Sequence, residues 1–364
     1  MKGTAIVYSE NEFGKLDGKV ANGLVRQSDS YEIVGIIDSS KTGLDSGEYL
    51  DGQPNNIPIF RNTNHAIETL TKVPDYFIYG IAPLASFLSV DQREVIFHAM
   101  ELGMNIVNGL PQFLTLDKEF VQKSLQFKVS IDDVRKPPLR KDLKNFTGRI
   151  NTLKTPVINV MGTDCAVGKR TTALKLVEAL REDGLKAVFI TTGQTGLLQG
   201  SKYGIAIDVL TSGFATGELE NAIMTADQQE SPDIIIVEGQ GALSHPAFTS
   251  SSAIIRGSMP DAIIVQHPPK RINRCDYSDI PMPSLQSEIE LLEAFARSKV
   301  IAITLNHEDL SNEEEDAIIL QYEKKYKLPT TDVLKHGCDK LISRIYEEFP
   351  DLVVIDPLLC SPQE

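Results

Sequence analysis

Apolar and polar positions follow two rhythms along the chain. Thr4–Tyr8, Tyr31–Asp38 and Asp75–Ala82 are short runs rich in Val, Ile and aromatic residues, the pattern of strands buried on both faces of a parallel sheet. Between them, apolar residues recur at helical spacing: Val20, Leu24 and Val25 after a loop with Gly14 and Gly18, then His65–Leu70, then Asp91–Leu102. Gly103 should end that last helix as its C′ residue. Ile57–Phe60 and Asn105–Gly109 read as further strands and Gln112–Phe127 as mostly helix, with Val129–Val134 closing the half, whereas the glycine-rich stretch 42–52 reads as a surface loop.

The second half repeats the alternation. Val157–Gly162 reads as a buried strand, followed by a loop to Gly168 and a helix whose inner face carries Ala173, Leu174, Leu176, Val177 and Leu180 and which Gly184 ends. Ala187–Ile190, Asp233–Gly241, Asp261–His267 and Val300–Leu305 are expected strands, and Leu352–Ile355 a final one. Helices are expected around Leu219–Ala226, behind the cap residue Ser284, behind the capping box Ser311/Glu314 and at Leu341–Ile345. The fold class predicted is α/β, with two doubly wound, mainly parallel-sheet domains. The N-terminal one (1–135) is Rossmann-like and the C-terminal one (157–364) P-loop NTPase-like, joined by a polar, proline-bearing linker (136–156).

Composition narrows the partners. The 364 residues carry a net charge of −14, which argues against general nucleic-acid or anionic-membrane binding. Four scattered cysteines without a C-x-x-C pair fit a reducing cytoplasm and no zinc site. The N-terminus lacks the apolar segment of a signal peptide, and no apolar run approaches membrane-spanning length. A homo-oligomer is expected, as two-domain metabolic proteins often self-associate.

Candidate chemistry centres on Gly162-Thr-Asp-Cys-Ala-Val-Gly-Lys-Arg-Thr-Thr172. Glycine-bounded loops of this kind cradle phosphate with backbone N–H groups, and a lysine and a helix N-terminus add positive charge. Gly162, Thr163, Asp164, Gly168, Lys169, Arg170, Thr171 and Thr172 are therefore the expected ligand-binding residues. Five residues separate the glycines instead of four, and Arg170 stands where a metal-ligating Ser or Thr is usual. Arg170 cannot hold Mg²⁺; Thr171 can if the register shifts. No metal ligand is assigned, and the loop suits the diphosphate of coenzyme A as readily as Mg-ATP. Cys165 reads as a small residue lining the loop.

Ligands in open α/β sheets bind beyond the carboxyl ends of the strands. Glu238 ends an apolar strand and is a candidate general base or metal-associated acid. His245 is an alternative base or a substrate ligand. Gln194 and Thr195 are expected to offer donors to an acyl oxygen. His267, Arg271 and Arg274 are expected at a substrate carboxylate, with Asn306 reading a base if the ligand is ATP. In the first half, Asp38 ends the second strand where a ribose-binding acid sits in dinucleotide folds. Ser9–Gly18 nevertheless lacks G-x-G-x-x-G and would turn Glu10 and Glu12 toward a pyrophosphate, so a scaffold or interface domain is expected instead of an NAD site.

The phosphate loop resembles that of dethiobiotin synthetase and its relatives. Asp17-Gly-Lys19, Gly80-Ile-Ala-Pro83, Asp133-Val-Arg-Lys-Pro-Pro138, the loop itself, Thr192-Gly-Gln-Thr-Gly196 and Glu238-Gly-Gln-Gly-Ala-Leu-Ser-His-Pro246 resemble a family long catalogued as a domain of unknown function. Its members have an N-terminal Rossmann-like and a C-terminal P-loop domain. The resemblance spans nearly the whole chain. It implies D-glutamate N-acetyltransfer from acetyl-CoA in D-amino-acid catabolism. An ATP-dependent kinase or ligase like dethiobiotin synthetase is the alternative.

Overall fold

The computed structural model of the chain describes residues 2–83 and 87–352. The chain forms two units, Met1–Asp142 with Gly193–Leu210, and Leu143–Thr192 with Thr211–Glu364.

The first unit is built on β1 (Gly3–Tyr8), β2 (Tyr31–Ile37), β3 (Ile59–Phe60), β4 (Tyr76–Tyr79), β5 (Asn105–Asn108) and β6 (Ile131–Asp133). All neighbours are parallel, in the order β3-β2-β1-β4-β5-β6, the Rossmann order with its switch point at β1/β4. Alternate residues serve the two faces, as the two-residue period of a strand requires. Ile6, Phe77 and Ile106 pack with Ile96 and Met100 on one side, and Ala5, Val7, Ile78 and Val107 with Val20 and Leu24 on the other. Gly103 follows the helix Val90–Glu101 with φ of 88°, a conformation that favours glycine.

Asp38 does not face a nucleotide. Its Oδ2 accepts the N–H of Phe13 at 3.2 Å and the ammonium of Lys41 at 2.9 Å, and its Oδ1 accepts Ser40 N–H at 3.0 Å. Phe13 itself is fully buried, so its side chain anchors in the core the loop where a dinucleotide's phosphates would lie, and the acid that would have read the ribose holds that loop by the Phe13 N–H.

Two local expectations change. The stretch read as a loop at 42–52 contains the helix Ser46–Asp51, capped by Asp45, which accepts Gly47 and Glu48 N–H, and closed by Gly52 in the left-handed region. Its glycines hid it, but one good cap at each end suffices for six residues. Residues 193–210, expected in the second domain, belong with the first. Gln199 Nε2 donates to Gly23 O at 2.8 Å and Gln27 O at 3.0 Å, and Gln199 O accepts Asp29 N–H at 2.7 Å.

The second unit begins with β7 (Val157–Gly162) and β8 (Ala187–Thr191). After the excursion through 193–210, which carries the short β9 (Tyr203–Gly204), it continues with β10 (Ile234–Glu238), β11 (Ala262–His267), the hairpin β12 (Asn273–Arg274) and β13 (Tyr277–Pro281), β14 (Lys299–Leu305) and β15 (Thr330–Thr331). Its main strands lie in the order β15-β14-β11-β7-β10-β8, all parallel. β7 is central and buried throughout. Ile158 and Val160 pack with Ala173 and Leu176 of the following helix, and with Ile236 and Ile264 of the flanking strands.

The later part of the segment read as a linker is built into this unit. Glu218 and Glu220, on the helix Ser212–Glu230, accept the N–H groups of Lys144, Thr147 and Ile150 at 2.6, 2.7 and 3.2 Å. A helix at Ser250–Ser258 was not apparent from the apolar spacing. The strand expected at Leu352–Ile355 lies outside the described residues from 353 onward, and Leu352 closes a 3₁₀ turn, Pro350–Leu352.

Candidate functional site

The loop leaves β7 at Gly162 and enters the helix Lys169–Glu182 through Gly168, whose φ of 104° favours glycine. Space is also limiting at the other end. A Cβ on Gly162 would stand 3.0 Å from Gln266 O, Lys169 Cδ and Val167 Cγ2. Lys169 lies under the loop, 6% exposed, and its ammonium donates to Asp164 O at 2.5 Å. Burial lowers its pKa, opposed by the charges of Cys165, Asp164 and Glu238. A buried ammonium at a helix N-terminus, beneath a loop of backbone N–H groups, is suited to an anion. Arg170 and Thr171 are half-buried on the same first turn.

Several residues expected to touch a ligand instead build the loop. Thr172 Oγ1 donates to Gln266 Oε1 at 2.5 Å, as Thr304 Oγ1 also does, so it is spent on β11. Thr163 Oγ1 lies 2.9 Å from His267 Nδ1. His267 is buried in the wall, and burial and the charge of Arg271 lower its pKa to about 4, so the ring stays neutral near pH 7. Asn306 donates to Val167 O at 3.1 Å and is no base-reading group.

The two arginines expected at a substrate carboxylate already have carboxylate and carbonyl partners. Arg271 forks onto Glu308 at 2.7 and 2.6 Å, reaches Asp164 Oδ2 at 2.9 Å and donates to Cys165 O at 2.8 Å. Arg274 donates to Thr163 O at 3.2 Å and Ser244 Oγ at 2.9 Å. Asp164 is fully buried. Burial alone would raise its pKa, but the Cys275 N–H at 2.8 Å and Arg271 hold it below the usual carboxylate value. These bonds make a rigid cradle; they do not leave a free guanidinium.

Glu238 ends β10 beside β7 and near Lys169. Its Oε2 accepts Thr191 Oγ1 at 2.5 Å and Thr192 N–H at 3.1 Å. The chain then turns so closely that a Cβ on Gly239 would stand 2.3 Å from Val160 O. His245, on the same loop, accepts Ala247 N–H at Nδ1, 3.2 Å away. The proton of the neutral ring therefore sits on Nε2, which is buried, faces Asp164 Oδ1 at 3.7 Å and offers a donor. Burial, and then Arg274, lower its pKa. His245 is thus a hydrogen-bond donor, and its expected role as general base is not supported.

Gln194 and Thr195 open the helix Gln194–Gln199, which belongs to the first unit. Sequence reasoning missed Gln266, a polar residue near the end of an otherwise apolar strand, and Glu288. Glu288 is fully buried; it accepts Leu243 N–H at 2.8 Å and the Ser244 hydroxyl, and burial raises its pKa. An acid at a core position of its helix was the available signal. Donor atoms of Asp164, Cys165 and Cys275, and of Cys165, His245 and Asp276, lie within 4.8 Å of one another in each group. The proton on His245 Nε2 and the Arg274 guanidinium 3.6 Å from Asp164 Oδ1 disfavour a cation there.

Comparison with known proteins places these features in context. A family model described as a domain of unknown function, DUF1611, P-loop domain, matches residues 144–342, and its N-terminal Rossmann-like counterpart matches 39–137. A D-glutamate N-acetyltransferase of Pseudoalteromonas is 32% identical over 275 residues, 74% of this chain and 80% of that protein. One from Tritonibacter scottomollicae is 28% identical over 274 residues, with the same coverage. A DUF1611 family protein from Anabaena variabilis shares the fold, with a TM-score of 0.87 at 29% identity, over 95% of this chain and 100% of that one.

Proposed function

Since the chain belongs to the DUF1611 family, with its Rossmann-like and P-loop domains, we propose that it is an N-acetyltransferase that moves acetyl from acetyl-CoA to the amine of D-glutamate or a similar D-amino acid. The observation that carries this reading is a phosphate loop with Lys169 buried beneath it and a second cation, Arg170, where a metal ligand is usual. Two fixed cations neutralise a diphosphate without a metal.

The reaction needs a free amine. A base removes one proton from the substrate ammonium, nitrogen attacks the thioester carbonyl, and the C–S bond breaks. The products are the amide, the thiol of coenzyme A and one proton. Glu238 is the base in this reading. Its Oε2 is oriented by the Thr191 hydroxyl and the Thr192 N–H. Fixed N–H donors stabilise the tetrahedral oxyanion. The enzyme works in the cytoplasm as a homo-oligomer on a small amino acid, without nucleic acid or membrane. Among the described residues no helix is long and apolar enough to cross a membrane.

A second reading, an ATP-dependent kinase or ligase, is favoured by one feature: Glu238 ends the strand next to the phosphate loop, where an acid serves Mg²⁺ in nucleotide triphosphatases. Thr171 and Glu238 would hold that ion. Thermal shifts with acetyl-CoA, CoA and Mg-ATP separate the readings, because a selective ligand stabilises by mass action. Stabilisation by acetyl-CoA, together with N-acetylation of D-glutamate detected by mass spectrometry, is the expected result. No acetyl-CoA binding and no acetylation of any D- or L-amino acid would overturn it.

A further inference from the structure

Cys165 lies inside the phosphate loop and Cys275 at the turn of the hairpin β12–β13; both are half-buried and both are free thiols. Their sulfurs and a carboxylate oxygen of Asp164 all lie within 4.8 Å of one another. The backbones are already stitched together around them. Cys275 N–H donates to Asp164 Oδ2 at 2.8 Å, Cys275 Sγ lies 3.5 Å from Cys165 O, and Arg271 donates to that same carbonyl at 2.8 Å. The two sulfurs are therefore neighbours, and an S–S bond of about 2 Å closes a gap of no more than 4.8 Å.

We propose that Cys165 and Cys275 are a reversible oxidative modification site, with a low-molecular-weight disulfide of the glutathione class as co-reactant, and that closing it clamps the phosphate loop to the hairpin. The Cys165 thiolate attacks one sulfur of the small disulfide and expels one thiolate. Cys275 then gives up its proton to solvent and attacks the mixed disulfide at Cys165, releasing the second thiolate. Two protein S–H bonds are lost and one S–S bond forms, while the small disulfide is reduced to two thiols.

The surroundings assign the two roles. The Cys275 S–H donates to Cys165 and lowers its pKa against the effect of burial, with the Lys169 ammonium helping; Cys275 in turn holds its own proton more tightly. Cys165 is the attacking thiolate and Cys275 the resolving thiol. Cys338 differs from both. It is buried and its pKa is pushed up to about 11, which leaves it unreactive. Because Cys165 lines the phosphate loop, an anion seated there shields the thiol, and the disulfide and the anion influence each other reciprocally.

The test uses the full-length protein treated with glutathione disulfide under native conditions, then digested at low pH without reductant and mapped by mass spectrometry. The expected product is a Cys165–Cys275 crosslink that dithiothreitol reverses, with Cys338 unmodified. Cys275→Ser should stop at a glutathione adduct on Cys165, and inorganic pyrophosphate should slow crosslinking of the unaltered protein several-fold. A Cys165 that remains alkylatable by iodoacetamide after this treatment overturns the proposal, as does one that pairs with Cys360 or retains glutathione in the unaltered protein. The outcome does not depend on whether the loop binds coenzyme A or ATP.

Discussion

Arg271 Nη1 and Asp164 Oδ2 meet at 2.9 Å with both side chains at least nine-tenths buried, and the same guanidinium forks onto Glu308. The charge that stiffens the phosphate loop thus comes from a residue more than 100 positions away. Arg271→Ala would leave Asp164 charged, buried and short of a partner, at a cost of about 3–5 kcal/mol. Arg271→Lys, which cannot fork, should recover only part of this. Urea unfolding at pH 7 measures both; a loss below 1 kcal/mol for the alanine variant would show that the pair is not structural.

The depressed pKa of Asp164 has a pH signature. A carboxylate with a folded pKa below its unfolded value stabilises the fold above the unfolded pKa, and this is lost as pH falls through the folded value. Asp164→Asn should therefore cost stability at neutral pH and progressively less as pH drops below about 4. Parallel unfolding curves of the two proteins across that range would contradict this.

His267 behaves in the complementary way. Its folded pKa of about 4 lies below the usual 6.5, so from pH 6.5 down to pH 4 the unfolded chain binds a proton that the folded chain refuses. Stability should fall across that window by up to about 3 kcal/mol. The fall should be absent in His267→Asn. NMR titration provides the direct check: the His267 ring resonances should not move between pH 8 and pH 5.

Lys169→Ala should weaken any phosphate ligand of the loop at least ~10-fold, about 1.4 kcal/mol or more. Arg170→Ser separates the two functional readings. It should weaken coenzyme A while leaving Mg-ATP unimpaired, because it removes a fixed cation and restores a metal-ligating hydroxyl. Calorimetric titration with each ligand reads the difference, and unchanged affinity for coenzyme A would count against the role given to Arg170.

Two glycines of one helix should respond with opposite signs. A Cβ on Gly217 would stand 2.3 Å from Asn145 C and 2.4 Å from Lys144 O, where the segment 144–150 crosses the helix, whereas Gly213 has nothing within 4 Å. Gly217→Ala should destabilise by about 2 kcal/mol or more, and Gly213→Ala should stabilise by about 0.4–1 kcal/mol. Thermal melts of the two variants side by side check the pair.

Reading the chain as two α/β halves around a phosphate loop needed only local information. Buried parallel strands are apolar runs, helices repeat apolar residues every three to four positions, and a glycine-bounded loop ending in lysine has few uses other than an anion. All of these are properties of contiguous residues. For the same reason the absence of a dinucleotide fingerprint was visible, and the fold supplies its counterpart in Asp38, which is spent on Phe13 and Lys41.

Partner choice was not visible in this way. Whether Arg271 meets a substrate or Asp164, whether Thr172 faces a ligand or Gln266, and whether residues 193–210 join the second half or the first are decided by groups dozens to hundreds of positions apart. Side-chain hydrogen bonds have no sequence period. A buried charge takes the nearest complementary group, and proximity is set by the order in which strands lie side by side. The residue types of the loop thus raised the expectation of an anion site from sequence alone. Which of them remain available to the anion, and which hold the loop in shape, was decided when β11 and the β12–β13 hairpin came to lie next to it.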